Sequence, residues 1–324
     1  MNLLRAELSR LAARRFIQIM VVVLLGAFAI TAATTLAASD RPSASELARA
    51  AHAADLARHQ ELDYYRECQR ARLPGTPEQV RGQFPRECRE PDLDSIRSEN
   101  YVQGAFVFAG EIRGLLFFLT AFLTLFGFLI GASFVGAELA SGGMVNLLLW
   151  ETRRLRVLGA KLAAVLAAVG VSAVVATVLY IGVFRLIAAF AGLAGRIDGA
   201  LWGSVALTAG RGLVTTLVAT AGGFAIATLG RHTAAALGVV AAYTVVWEGG
   251  ARVVMTIVDA PADAWMLSSY LAAWMDGALD VSSRCGTDFC VDEITWVNAA
   301  VVFAVLLAGL LGAAFHTFRQ RDLV

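Results

Sequence analysis

Apolar residues along this chain gather into long runs instead of alternating with polar ones. A bilayer core of about 30 Å needs roughly 20 consecutive apolar residues in a helix. Six segments reach that length: 16–38, 105–137, 157–190, 200–229, 234–258 and 294–317. Each predicts a membrane-spanning helix, so the expected fold class is an all-α integral membrane protein with six spans. The first run follows Arg5, Arg10, Arg14 and Arg15, which is the layout of a signal peptide. It exceeds the roughly 7–15 apolar residues of a signal core, and five further spans follow, so it reads as an uncleaved span. Ahead of it, Leu3, Leu4, Leu8 and Leu11 interleave with Arg5, Arg10 and Arg14 at helical spacing. That pattern predicts a short amphipathic helix over 1–15 lying on the membrane surface.

Two polar segments are long enough to hold structure of their own. In 39–104, Pro74, Gly75, Pro77 and Pro85 mark turns, and helical spacing from Glu46 to Arg72 predicts one or two helices. In 259–293, Trp265, Tyr270 and Trp274 stand among apolar neighbours. Aromatic residues so placed favour a membrane interface, which predicts a re-entrant or surface helix, with a packing helix beneath the loops as the alternative.

Charge then orients the chain. It is 58% hydrophobic and 16% charged, with a net charge of +1 and a mean hydropathy of +0.65. So balanced a charge gives no reason to expect a nucleic-acid partner. Basic residues collect before the first span, at Arg153, Arg154, Arg156 and Lys161, at Arg231, and at Arg319 and Arg321. Segment 259–293 instead sets Asp259, Asp263, Asp276, Asp280, Asp288, Asp292 and Glu293 against Arg284 alone. The positive-inside rule therefore expects both termini, including the 318–324 tail, in the cytoplasm. Cysteines follow the same division: Cys68 and Cys88 fall in one expected outer segment, Cys285 and Cys290 in the other. Disulfides persist outside the cytoplasm. Local pairing, Cys68 with Cys88 and Cys285 with Cys290, is the expectation, although four cysteines permit three connectivities. No CxxC pair and no suitably spaced histidine supports a metal site.

Charges inside spans are costly and mark candidate sites. Arg211 lies 19 residues before Gly230 and Glu248 lies 18 after it. At 1.5 Å per residue both sit about 28 Å from the turn, at the same depth near the outer edge of the bilayer. A pairing of Arg211 with Glu248 is geometrically allowed, and Arg252, one turn on, is placed to share the carboxylate. The alternatives are an interfacial pair that fixes helix register and a charged lining of an outer vestibule.

The stretch "GASFVGAELASGGMVNLLLWETRRLRVLGAKLAAVLAA", residues 131–168, carries the clearest motif. A span ends at Glu138, the chain breaks at Gly142 and Gly143, a short apolar segment runs through Leu149 and Trp150, and a basic run opens the next span. It resembles the coupling-helix region of permease subunits of type-2 ABC transporters, in a bacterial, actinobacterial-like form. The start "RAELSRLAARRF" is similar to that family's elbow helix, and "FRQRDLV" to its basic C-terminus. The 39–104 segment departs from the family pattern. The resemblance implies a bacterial cell membrane location and a coupling segment over 138–156. There Glu138, Gly142, Gly143, Leu149, Trp150, Glu151, Arg153 and Arg154 would meet a separate ATP-binding subunit. It also implies a second permease copy or homologue as partner. ATP and magnesium would be bound by that other subunit and no cofactor by this chain, which would export a small, drug-like or lipid-like molecule by alternating access.

This chain itself is expected not to be an enzyme. "GASFVGAE" has the glycine spacing of a phosphate loop but continues with Ala137 and Glu138 where Lys and Ser or Thr are required. Two other readings stay open: a secondary transporter, although the halves show no clear repeat, and a membrane anchor for the 39–104 segment.

Overall fold

A computed structural model describes residues 7–11, 13–85, 87–144, 153–258, 260, 262–285 and 288–320, except the side chains of 282–291. Among these residues, six helices are long and apolar enough to cross a membrane. They are α1 (Arg15–Ala37), α3 (Phe108–Ala140), α4 (Arg154–Ala191), α5 (Gly199–Gly230), α6 (Thr233–Ile257) and α8 (Trp296–Gln320). Between them stand α2 (Ala44–Ala71), α7 (Leu267–Asp276) and an antiparallel hairpin of β1 (Ala278–Cys285) and β2 (Asp288–Thr295). The hairpin is a departure from the all-helical expectation. Its cause is alternation: Leu279 and Val281 share one face, Ile294 sits opposite Leu279, and that face packs on Tyr270 and Ala273 of α7. The chain divides into two compact units.

The first unit comprises Met1–Phe28, Arg113–Tyr180 and Trp202–Val324. Its core joins Phe134 and Val135 of α3, Leu158 and Val165 of α4, and Phe224 of α5. Helices α3 and α5 are half buried over their most apolar stretches, 50% and 56%, against 6% for α1 and for α6 and 11% for α8. The tight α3–α5 contact rests on small residues, which let backbones approach where lipid provides no hydrophobic drive between helices. A Cβ on Gly131 would collide with the Thr220 carbonyl, one on Gly127 with the Thr220 hydroxyl, and one on Gly212 with the Thr120 hydroxyl. Threonine hydroxyls in α5 are satisfied within the helix: Thr215, Thr216, Thr220 and Thr228 each donate to the carbonyl four residues back, at 2.7–2.9 Å.

Helix α6 follows a tight turn in which Arg231 takes φ 57° and the His232 imidazole accepts from the Ala234 amide at 3.0 Å. From Tyr243 to Ala251 it widens into a π-helix that holds Gly249 and Gly250. A π-turn spans five residues and brings side chains at i and i+5 onto one face.

The second unit comprises Ala29–Ile112 and Ile181–Leu201. The Glu46–Arg72 spacing resolves into one 28-residue helix, α2, opened by a capping box in which Ser43 and Glu46 bond reciprocally. At its far end Cys68 is disulfide-bonded to Cys88, with Cα atoms 5.8 Å apart. Arg72 donates to the carbonyls of Phe84, at 2.8 Å, and of Pro85, folding the intervening loop onto the helix end. The segments flanking the spans are bound together: the Ser39 hydroxyl donates to Ala191 O at 2.6 Å and accepts from the Phe106 amide at 2.8 Å, and Leu193 and Phe106–Phe108 exchange backbone bonds. At the start of α5 the Asp198 carboxylate accepts from the Leu201 amide at 2.9 Å. That bond, helped by Arg196, outweighs partial desolvation and holds its carboxyl below the usual range.

Candidate functional site

The first site is a knot of charge in the first unit. Glu7, Glu138 and Lys161 come from the N-terminal segment, the last turns of α3 and the third turn of α4. Lys161 is fully buried, and its Nζ lies 2.6 Å from Glu7 Oε2 and 2.6 Å from Glu138 Oε2. Arg14 completes the group: Nη2 pairs with Glu138 Oε1, and Nη1 donates to the carbonyls of Ser133 and Phe134 at 3.2 and 3.0 Å. The Phe134 ring lies under both cations, 4.9 Å from the Arg14 guanidinium carbon and 5.0 Å from Lys161 Nζ. Arg10, half exposed, adds a bond to Glu7 at 3.1 Å.

Two carboxylates, one ammonium and one guanidinium form a neutral quartet. That neutrality matters, because each ion removed from water costs several kcal/mol and is tolerated only when compensated. Of the 27 basic residues Lys161 is the single lysine. An ammonium is a compact point charge that fits between two carboxylates, where a planar guanidinium would need more room. In sequence Lys161 stands within the basic run of Arg153, Arg154 and Arg156, and Glu7 lies in no motif of its own. The available signal was Glu7 as the one acid in the arginine-rich first 15 residues.

This geometry changes the place of Glu138. Expected at a partner surface, its carboxylate is instead committed to Arg14 and Lys161 of its own chain and is 16% exposed. Gly142, at φ 72°, turns the chain away from α3. Arg153 directly precedes α4, and Arg154 is its first residue. Leu149, Trp150 and Glu151 lie outside the described residues.

The second site involves the intramembrane charges. Arg211 and Glu248 are not partners; each takes one end of α7. The Glu248 carboxylate accepts from the Ser268 amide at 3.0 Å, the Ser268 hydroxyl at 2.7 Å and the Tyr243 hydroxyl at 2.9 Å, while Tyr243 accepts from the Leu267 amide at 3.1 Å. The π-turn makes this possible by aligning Tyr243 with Glu248, five residues on. Arg211 Nη1 donates to the Met275 carbonyl at 3.0 Å, and Trp274 Nε1 donates to the Arg211 carbonyl at 3.1 Å. A carboxylate therefore sits at the helix's N-terminus and a guanidinium at its C-terminus, each the sign that the macrodipole favours. Ten residues of helix, about 15 Å, separate the two charges. Their equal depth, read from the sequence, corresponds to a helix held between them. Arg252, expected to share the Glu248 carboxylate, bonds the Ser268 hydroxyl at 3.2 Å and pairs with Asp263 at 3.4 Å. Trp247 Nε1 donates to the Trp265 carbonyl at 3.1 Å.

Of the expected disulfides, Cys68–Cys88 is present. The pairing expected of Cys285 with Cys290 lies outside the described side chains; in the hairpin backbone Cys285 faces Asp288 and Cys290 faces Ser283. Among the described residues no group of three His, Cys, Asp or Glu side chains is arranged to hold a metal.

Fold and sites together define a multi-pass helical membrane protein. No protein-family model matches the chain, and no curated protein or solved structure matches it significantly.

Proposed function

We propose that this chain is the membrane-spanning permease subunit of a bacterial ABC exporter, driven by a separate ATP-binding subunit and paired with a second permease copy or homologue. In this reading both termini and the 141–153 connection are cytoplasmic, residues 1–15 make up the elbow helix, and the disulfide-bonded segment lies outside the cell membrane. The chain is not an enzyme. ATP and magnesium act in the partner, and the cargo is a small drug-like or lipid-like molecule moved by alternating access.

One observation carries the reading: Lys161 and Glu138 fasten the two helices that flank the 141–153 connection to each other and to Glu7 of the N-terminal segment. A push delivered to that connection reaches α3, α4 and the N-terminal helix as one solid piece. Coupling of partner hydrolysis to span movement requires such a piece, since a loose connection would absorb the displacement. The low intrachain burial of α1, α6 and α8 leaves apolar faces for lipid or a second permease.

The experiment is gentle detergent purification of the tagged chain, identification of co-purifying proteins, and assay of their ATPase rate. An ATP-binding protein should co-purify. Its stimulation by this chain should be lost in Trp150→Asp, while membrane insertion and elution volume stay normal. Unchanged stimulation by Trp150→Asp, or full transport in cells lacking every associated ATPase, would overturn the proposal.

A further inference from the structure

Glycine is, after proline, the residue least favoured inside a helix, yet α6 carries two in a row, Gly249 and Gly250. Space does not require them. Among the described residues a Cβ on Gly249 would meet only the Thr244 carbonyl oxygen, at 3.5 Å, and one on Gly250 only that of Val245, at 3.6 Å, both ordinary contacts. The pair stands in the π-segment Tyr243–Ala251, a winding that is rare and frequent at functional sites. Its effect here is rotational. Tyr243, Trp247, Glu248 and Arg252 all bond or pair with one stretch of chain, Asp263–Ser268. Wound as an α-helix, at about 100° per residue, Trp247 would stay within about 40° of Tyr243, but Glu248 would stand about 140° and Arg252 about 180° away.

We propose that α6 has a second register, in which Tyr243–Ala251 winds as an α-helix, Glu248 and Arg252 turn off α7 and pair with each other, and the N-terminal end of α7 is released. This switch does not rest on the transport reading. Three features open the second state. Glu248 and Arg252 are four residues apart with the acid first, the favoured order for an ion pair on one α-helical face, so both charges stay compensated in either register. Helix α6 is little buried by the rest of the chain, so little packing opposes its rotation. Gly250 and Val254 come within about 20° of Tyr243 in the α-helical register. Val254, 59% exposed in the present one, then turns toward α7 as the charges leave it.

The change loosens one end of α7 alone. It frees the Leu267 and Ser268 amides, which now donate to the Tyr243 hydroxyl at 3.1 Å and to Glu248 at 3.0 Å. Both lie at a helix N-terminus, where water can take them. Arg211 keeps its bond to the Met275 carbonyl, and Trp274 its bond to Arg211, so α7 pivots about its C-terminal end. Two self-compensated arrangements of one segment are what a two-state element requires.

The test reads deuterium uptake at the Leu267 and Ser268 amides of the full chain in phosphatidylcholine nanodiscs, by mass spectrometry with fragmentation to single residues. Deleting Val245, which is 71% exposed, puts Glu248 four residues and Arg252 eight residues after Tyr243. An ordinary α-helix then keeps all three within about 80° of one another, holding α7 with no second register to visit. Gly250→Leu closes the second register by another route: position 250 is exposed in the present one and would drive the new side chain into α7 in the other. Uptake at both amides should slow by about tenfold or more in each variant, because the main route of opening is gone. Fraying of α7 by itself would persist in both. Slowing in either variant that inserts normally upholds the switch, and should the deletion fail to insert, Gly250→Leu decides alone. Uptake at or above the wild-type rate in every inserted variant would overturn it.

Discussion

Lys161→Met isolates the energetics of the buried knot. Glu7 and Glu138 each lie 2.6 Å from Nζ, so the two carboxylates are close neighbours once the ammonium is gone. Like charges about 5 Å apart repel by roughly 3 kcal/mol at an effective dielectric of about 20. Glu138 keeps Arg14, but among the described residues Glu7, 2% exposed, keeps only Arg10, which is 52% exposed and correspondingly screened. Breaking one partner out of a buried ion pair costs about 3–5 kcal/mol, because the remaining charge stays desolvated. For a chain of this size the melting temperature should fall by roughly 4–8 °C. The double variant Lys161→Met/Glu7→Gln should be more stable than the single, since it removes the stranded charge. Thermal unfolding in one detergent at one scan rate, with insertion verified, gives both values. A double variant no more stable than Lys161→Met would refute the argument, as would costs that add within about 0.5 kcal/mol.

Three further perturbations probe other parts of the fold. Gly131→Leu should destabilise the protein by about 1–3 kcal/mol or more, by forcing a side chain into the Thr220 backbone. Gly26→Leu, where a Cβ meets nothing within 4 Å, should leave the same melting curve unchanged. Glu46 is held below its usual 4.5 by the Ser43 backbone amide and then by the Ser43 hydroxyl. A carboxyl depressed on folding stabilises above its unfolded value and loses that contribution as pH falls through the folded one. The start of α2 should therefore fray below about pH 4.5, with the dependence gone in Glu46→Gln; the Ser43 amide resonance across an NMR titration reports it. Exchanging the charges, Arg211→Glu with Glu248→Arg, should give less amide protection over 267–276 than either single change. The swap puts the wrong sign at both ends of α7, worth up to about 2 kcal/mol each, whereas a direct pair would be restored by it.

The spans were legible because a helix in lipid must be apolar on every side, and that leaves runs no other structure produces. The helix within Glu46–Arg72 was legible for a different local reason, the recurrence of its apolar positions at helical spacing in a polar segment. What the sequence hid is partnership. The equal depth of Arg211 and Glu248 follows from counting residues, but counting does not reveal that Leu267–Asp276 lies between them. Its ends compete for both charges more effectively than they compete for each other, since each offers backbone groups that have no other partner. Glu7 was missed because it is 131 residues from Glu138 and 154 from Lys161. No local pattern encodes such a meeting. The hairpin was missed because its alternation is broken, with Phe289, Cys290 and Val291 consecutive in β2 and Ser282 and Ser283 in β1, inside a segment dominated by acidic residues.

Where the chain is fastened also determines where it can yield. The ends of α3 and α4 share Lys161, and α7 is held by Arg211 at one end and by Glu248 and Tyr243 at the other. These attachments involve charges buried or partly buried, so undoing any one leaves an ion without compensation and is costly. Helix α6 is different: it is little buried by the rest of the chain, and its π-segment contains adjacent glycines at 249 and 250. A π-turn converts to an α-turn by shifting register one residue, which exposes no charge by itself but would move Tyr243 and Glu248 out of line. Movement within this unit would therefore begin in α6 and reach α7 through the Tyr243–Glu248 pair, while the charge knot at the other end stays intact.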